Sequence, residues 1–112
     1  MLGIIGAMDE EVAMIKAQLT DVQVESRAAM DFYKGKLEGK EVVVVRSGIG
    51  KVNAAMCTQI LADIYSVTGV VNTGIAGSLK AEIDIGDIVL SSDALQHDMD
   101  ATGFGYEPGQ IP

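Results

Sequence analysis

The sequence contains few of the residues that form disulfides, metal centres or nucleic-acid interfaces. Its 112 residues include one cysteine, one histidine and no tryptophan. A single cysteine excludes an internal disulfide and any metal centre built from several thiolates of this chain. The 8 Lys and Arg residues are outnumbered by 16 Asp and Glu residues and form no basic stripe. Nucleic acid and anionic membranes are therefore not expected as partners.

Long hydrophobic runs are also absent. The apolar N-terminal stretch, LGIIG, lacks the basic leader and cleavage site of a signal peptide. No stretch approaches the roughly 20 apolar residues that cross a membrane. Hydrophobic residues nevertheless make up 48% of the chain, which is enough for one domain with a hydrophobic core. We therefore expect a soluble, cytoplasmic protein.

The remaining pattern predicts strands that alternate with helices. Helices are expected over about 9–19 and 51–65. Strands are expected at 2–6 and 20–26, on both sides of a turn at Glu38-Gly39-Lys40, at the start of TGVVNTGIAGSL (68–79) and in GDIVLSSDA (86–94). This order is typical of the α/β class, and we expect a mixed, largely parallel central sheet flanked by helices.

Apolar residues at helical spacing predict which helix faces are buried. One stripe comprises Met8, Val12, Ile15 and Leu19, and a second comprises Val52, Met56, Ile60 and Ile64, with Cys57 and Leu61 beside it. Cys57 is interpreted as a small core residue rather than a reactive thiol. The run EVVVVR is apolar on both faces, which indicates a central strand of a covered sheet.

Three turns that contain small residues follow predicted strands: GAMDEE (6–11), SGIGK (47–51) and NTGIAGS (72–78). If these strands are parallel, the turns meet at the edge of the sheet where α/β proteins bind ligands. Small residues there allow backbone N–H groups to approach a ligand closely. Neither GIIGAM nor SGIGK has the spacing of a dinucleotide fingerprint or a P-loop.

Three carboxylates begin the first predicted helix. On a helical wheel Glu10 lies opposite the apolar stripe and should face solvent, whereas Asp9, near Lys16, suits a cap or first-turn role. Glu11 lies on the other shoulder, with apolar residues one turn further along the helix. Partial desolvation is expected to raise the pKa of Glu11, which would favour this residue as a general base.

The segment HDMDATGFGYEPGQIP contains the other chemically notable cluster. His97 lies beside Asp98 and Asp100, and one histidine with two carboxylates could in principle hold a metal ion. Adjacent side chains of a strand point in opposite directions, however, and there is no second histidine. We therefore expect no metal site.

Five segments occur in the order and at the spacing of one enzyme family: GIIGAMDEEV, VVRSGIGKVNAA, VVNTGIAGSL, GDIVLSSDA and HDMDATGFGYEPGQIP. Together they resemble the N-terminal half of the 5′-methylthioadenosine/S-adenosylhomocysteine nucleosidases, within the purine nucleoside phosphorylase superfamily. The resemblance covers essentially the whole chain. It implies that residues 1–112 are the N-terminal part of a single nucleoside phosphorylase-like domain. It also implies hydrolysis of the N-glycosidic bond, which releases adenine and a 5′-thioribose.

The resemblance also implies roles for particular residues. The acid that matches Glu11 activates the attacking water in this family. The residues that match Ala7, Met8, Ile49, Ile75, Ala76 and Gly77 line the substrate pocket. Phe104 and Pro112 match residues that reach into the site of a partner subunit, so a homodimer with shared sites is implied. No cofactor and no metal ion are implied.

The sequence departs from the family at two points. Ile75 stands where a small or hydroxyl residue is more common, which changes the side chain available to the pocket. Family chains are also about twice as long, and their second half supplies the acid that protonates adenine. This chain alone is therefore expected to be inactive, and the C-terminal half could exist as a separate chain.

Two alternative functions remain open. A phosphorylase of the same superfamily would need basic side chains for phosphate, and Arg46, just before SGIG, is the base that keeps this alternative open. A Glu at the position of the nucleophile, in a chain of net charge -8, favours water instead. The second alternative is a non-catalytic half-domain that binds a nucleoside and docks a partner chain.

Overall fold

The computed structural model describes residues 1–112, which divide into two compact units, Met1–Gly77 and Ser78–Pro112. The first unit contains all strands and both α-helices. Its elements in chain order are β1 (Leu2–Gly6), α1 (Asp9–Ala17), β2 (Thr20–Arg27), β3 (Met30–Leu37), β4 (Lys40–Arg46), α2 (Lys51–Asp63) and β5 (Gly69–Asn72). Neither helix is long and apolar enough to cross a membrane.

The five strands form one mixed sheet in the order β2-β3-β4-β1-β5. Strand β1 lies between β4 and β5 and is parallel to both, whereas β3 is antiparallel to β2 and β4. The α/β class and the mixed sheet with flanking helices are therefore confirmed. The sheet is less parallel than expected, because two of its four strand pairs, β2–β3 and β3–β4, are antiparallel. Strand β2 also runs in the direction of β4, β1 and β5 and only β3 runs opposite, but β4, β1 and β5 are the strands that lie side by side with their carboxyl ends at one edge.

The core is built on both faces of β4, as its uninterrupted apolar sequence predicts. All four valines from Val42 to Val45 are buried. Val43 and Val45 pack in one cluster with Cys57 and Leu61 of α2, while the alternate valines pack in a second cluster with Val12 of α1. Because successive strand residues point to opposite faces, the two helices cover opposite faces of the sheet.

The predicted buried stripe of α1 is confirmed in outline. That of α2 is wrong except at Ile60, which packs partly against the core. Val12 is buried, and Ile15 and Leu19 pack partly against its cluster. In α2 the helix is rotated so that Cys57 and Leu61 face the sheet, which leaves the side chain of Val52 81% exposed. Burial raises the pKa of Cys57 to about 11, in agreement with its interpretation as an unreactive core residue.

The second unit consists of turns and one short 3₁₀ helix, Thr102–Phe104. The strand predicted in GDIVLSSDA is therefore wrong. Ile88 is 91% and Leu90 is 90% exposed, and the segment forms no ladder with any strand. Apolar alternation stabilises a strand only where a neighbouring strand satisfies its backbone groups, and Ser78–Pro112 contains none.

Candidate functional site

The carboxyl ends of the three parallel strands meet at one edge of the sheet. Gly6, the last residue of β1, pairs with Arg46 at the end of β4, and Ile5 pairs with Asn72 at the end of β5. The first residues after β4 and β5 remain hydrogen-bonded to β1. Ser47 N donates to Gly6 O at 2.9 Å, and Thr73 N donates to Ile5 O at 2.8 Å. The predicted convergence of the three turns is therefore confirmed.

Glu11 connects two of these turns through its carboxylate. Oε2 accepts hydrogen bonds from the backbone N–H groups of Ala7, at 2.7 Å, and Met8, at 3.0 Å. Oε1 accepts a hydrogen bond from Ile75 N at 3.2 Å, across 64 positions of sequence. Three N–H donors from two turns thus orient one partly buried carboxylate at the edge of the sheet.

These donors make the expected rise in the pKa of Glu11 wrong. The Met8 N–H contributes most to lowering the pKa of Glu11, followed by that of Ile75, and desolvation acts in the opposite direction with a smaller effect. The carboxyl group is therefore ionised at neutral and mildly acidic pH. The lowered pKa of Glu11 could have been predicted from the sequence, because a Glu three residues after a helix N-cap commonly accepts a hydrogen bond from the N-cap N–H.

The other two acids of the first turn lie outside this arrangement. Glu10 is exposed, as predicted. Asp9 is the first residue of α1, and its Oδ1 lies 3.5 Å from Arg46 Nε and 3.8 Å from Lys16 Nζ. The guanidinium of Arg46 therefore has a carboxylate partner, which offsets its positive charge at the end of β4.

The other predicted site residues fall into two groups. Ala7, Met8 and Ile75 contact Glu11 through their backbones. Ile49 follows β4 with its side chain 74% exposed, and the side chain of Ile75 is 83% exposed. Ala76 and Gly77 continue the exposed turn after β5. Phe104 and Pro112 belong to the second unit and are both exposed.

His97 and Asp100 line an open cavity of about 430 Å³ whose lining residues all belong to Ser78–Pro112. Asp100 accepts two hydrogen bonds from Thr102, one from the backbone N–H at 3.0 Å and one from the hydroxyl at 2.6 Å. The hydroxyl and then the N–H of Thr102 lower the pKa of Asp100. No group of three or more His, Cys, Asp or Glu side chains in the chain is arranged to hold a metal ion.

The chain is similar in sequence and in fold to known proteins. The sequence model of the phosphorylase superfamily matches residues 1–112. A 5′-methylthioadenosine/S-adenosylhomocysteine nucleosidase of Marinomonas sp. (strain MWYL1) is 51% identical over 112 residues, which are 100% of this chain and 48% of that protein.

Two solved structures are similar as well. The nucleosidase of Colwellia psychrerythraea 34H in complex with adenine superimposes with a TM-score of 0.97 at 53% identity, over 99% of this chain and 46% of that one. The nucleosidase of S. pneumoniae with a transition-state inhibitor has a TM-score of 0.94 at 42% identity, over 98% of this chain and 48% of that one.

The chain thus spans about half the length of the relatives that it matches. Within that half, the family model matches from the first residue to the last, and the superposition on the Colwellia nucleosidase covers 99% of this chain. The mixed sheet, the convergence of three strand ends and the whole-length match lead to one assignment: the chain belongs to the phosphorylase superfamily.

Proposed function

We propose that the protein containing this chain hydrolyses the N-glycosidic bond of 5′-methylthioadenosine and S-adenosylhomocysteine, and releases adenine and a 5′-thioribose. The observation that carries the proposal is the Glu11 carboxylate, which three backbone N–H groups hold at the meeting point of the strand ends. The similarity to nucleosidases of known structure supports the same activity.

Glu11 is suited to the chemistry of glycoside cleavage. As the bond between C1′ and the purine nitrogen breaks, positive charge develops on the ribose. A fixed carboxylate stabilises that charge, and it accepts a proton as a water oxygen bonds to C1′. The low pKa of Glu11 is compatible with this role, because water becomes strongly acidic once it adds to the cationic sugar. The second proton stays on the water oxygen, which becomes the new hydroxyl group on C1′.

The remaining pocket residues are proposed from their places around Glu11. Ala7 and Met8 lie on the β1 side of the carboxylate. Ile75, Ala76 and Gly77 form the turn after β5, which we propose lies beneath the sugar and base. Ile49, after β4, completes the lining. We propose that residues outside these 112 supply the acid that protonates adenine, so that the chain alone is inactive; the half-length match to the relatives supports this.

Water is the proposed nucleophile in preference to phosphate. A phosphorylase must bind an anion beside the ribose, and Glu11 would repel it. Arg46 could offset that repulsion, but its Nε lies 3.5 Å from Asp9 Oδ1.

We further propose a cytoplasmic location, which the single buried and free cysteine supports.

The nucleophile can be tested directly in the natural full-length protein. Adenine release from 5′-methylthioadenosine should proceed at the same rate with and without inorganic phosphate, with free 5-methylthioribose as the sugar product. Inosine should serve as a control nucleoside that is not cleaved at a comparable rate. Strict dependence on phosphate, with a sugar 1-phosphate as product, would favour the phosphorylase alternative. Binding of the nucleoside without any turnover would favour the non-catalytic alternative.

We also propose a homodimer in which Phe104 and Pro112 contribute to the site of the partner subunit. Phe104 is 88% exposed, and an exposed aromatic side chain is suited to a contact with a partner subunit. Within the first unit, Val52 and Ile49 are also exposed apolar residues. If sites are shared, mixing the Glu11→Gln and Phe104→Ala variants should restore activity. Each mixed dimer would contain one intact site, so recovery should approach about a quarter of the wild-type rate. A mixture no more active than the average of the two variants would contradict shared sites.

A further inference from the structure

Gly74 lies in the turn after β5 and directly against the Glu11 carboxylate. A Cβ atom added at Gly74 would lie 2.5 Å from Oε1 and 2.9 Å from Cδ of Glu11, and the three atoms nearest to it all belong to that carboxylate. Outside their own residue and its two chain neighbours, Cβ atoms in proteins essentially never approach a heavy atom to less than 3.0 Å. No side chain therefore fits at this position while the carboxylate keeps its place.

We infer that Gly74 is a positioning residue for Glu11: the missing side chain allows the turn after β5 to close on the carboxylate and to donate the Ile75 N–H. This inference deepens the proposed function, on which it rests. A methyl group at position 74 would force Oε1 away from Ile75 N, now 3.2 Å distant. The carboxylate is the far end of a flexible side chain, so it should move while the backbone keeps its fold.

Among the glycines near this sheet edge, only Gly74 has the Glu11 carboxylate as its nearest obstacle. A Cβ atom added at Gly6 would lie 2.7 Å from Val12 Cγ1 and 3.1 Å from Glu11 Cβ, so it would first meet the core and the stem of the Glu11 side chain. At Gly77, three residues further along the turn, an added Cβ atom would meet nothing within 4 Å. At Gly69, at the other end of β5, it would lie 3.4 Å from Leu2 Cδ1, which is an ordinary contact. Gly69→Ala, at the start of β5, is therefore a matched control, because it adds the same methyl group far from Glu11.

The test compares Gly74→Ala with Gly69→Ala in the natural full-length protein. The titration of the Glu11 carboxyl, followed by ¹³C NMR and assigned with Glu11→Gln, should show a higher pKa in Gly74→Ala, because one N–H donor is lost. The kcat should fall by about a hundredfold with a smaller change in KM, since a displacement of about 1 Å has effects of that size. Gly69→Ala should leave both quantities unchanged.

Two outcomes would overturn the inference. One is a folded Gly74→Ala protein whose Glu11 pKa and kcat equal those of Gly69→Ala. If Gly74→Ala does not fold, the double variant with Glu11→Ala decides instead: it should fold if the carboxylate is the obstacle, and its failure to fold would place the clash elsewhere. The titration and the folding measurement do not require nucleosidase activity, so they distinguish failure of this inference from failure of the proposed function.

Discussion

Replacement of Glu11 by Gln should reduce the rate of adenine release by a factor of about 10² to 10⁴, the usual contribution of a positioned acid or base. The amide keeps the size of the carboxylate, but it cannot take a proton from the attacking water and carries no charge to stabilise the ribosyl cation. Its NH₂ group would also face backbone N–H groups that now donate to the carboxylate. The measurement is kcat for 5′-methylthioadenosine in the natural full-length protein.

Glu10→Gln is the matched control for this experiment. It makes the same chemical change one residue away, at an exposed position on the solvent side of α1. The control should retain the wild-type kcat, and both variants should still bind adenine. Near-normal adenine release by Glu11→Gln would remove Glu11 from the proposed mechanism.

The pH dependence gives an independent check on the same residue. In the proposed mechanism the active form of Glu11 is the ionised one, and its pKa lies below the ordinary 4.5 because backbone N–H groups favour the charged state. Activity should therefore be lost through protonation of Glu11 only as the pH falls below 4.5. An acid limb near pH 6 that disappears in Glu11→Gln would contradict the lowered pKa.

The parts of the fold that could be predicted from the sequence are those with strong local patterns. Four consecutive valines between two polar ends predict a strand buried on both faces, and β4 is such a strand. The turn at Glu38-Gly39 follows from the same logic, and both residues have positive φ, of 47° and 80°. The convergence of three turns also follows from the sequence, because parallel strands direct their carboxyl ends to one edge.

The wrong predictions concern features that depend on distant partners. The face of α2 could not be read from its apolar spacing, because Val52 and Cys57 belong to neighbouring stripes and the sheet decides which of them is covered. The strand in GDIVLSSDA required a neighbouring strand that the chain does not provide. The pKa of Glu11 is only partly such a case: its largest cause, the Met8 N–H, is local and could be predicted, whereas no local pattern around residue 11 indicates the Ile75 N–H.

The core on the α2 face of the sheet should be the most sensitive part of the chain to truncation. Phe32 on β3 is fully buried, and its ring stacks on that of Tyr65 with 5.3 Å between the ring centres. Phe32→Ala should lower the free energy of unfolding by about 3–5 kcal/mol, since both apolar contact and packing are lost. That loss is a large part of the roughly 5–15 kcal/mol by which most domains are stable.

Urea unfolding of Phe32→Ala and Met14→Ala in the natural full-length protein measures this effect against a control. Met14 lies on α1 with 76% of its side chain exposed, so its truncation should change the free energy of unfolding by no more than about 0.5 kcal/mol. A loss below about 1 kcal/mol in Phe32→Ala would mean that α2 and Tyr65 can close over the missing ring. The contact between Phe32 and Tyr65 would then contribute little to the free energy of unfolding. The sheet whose edge holds Glu11 would be stabilised mainly by the buried valines of β4.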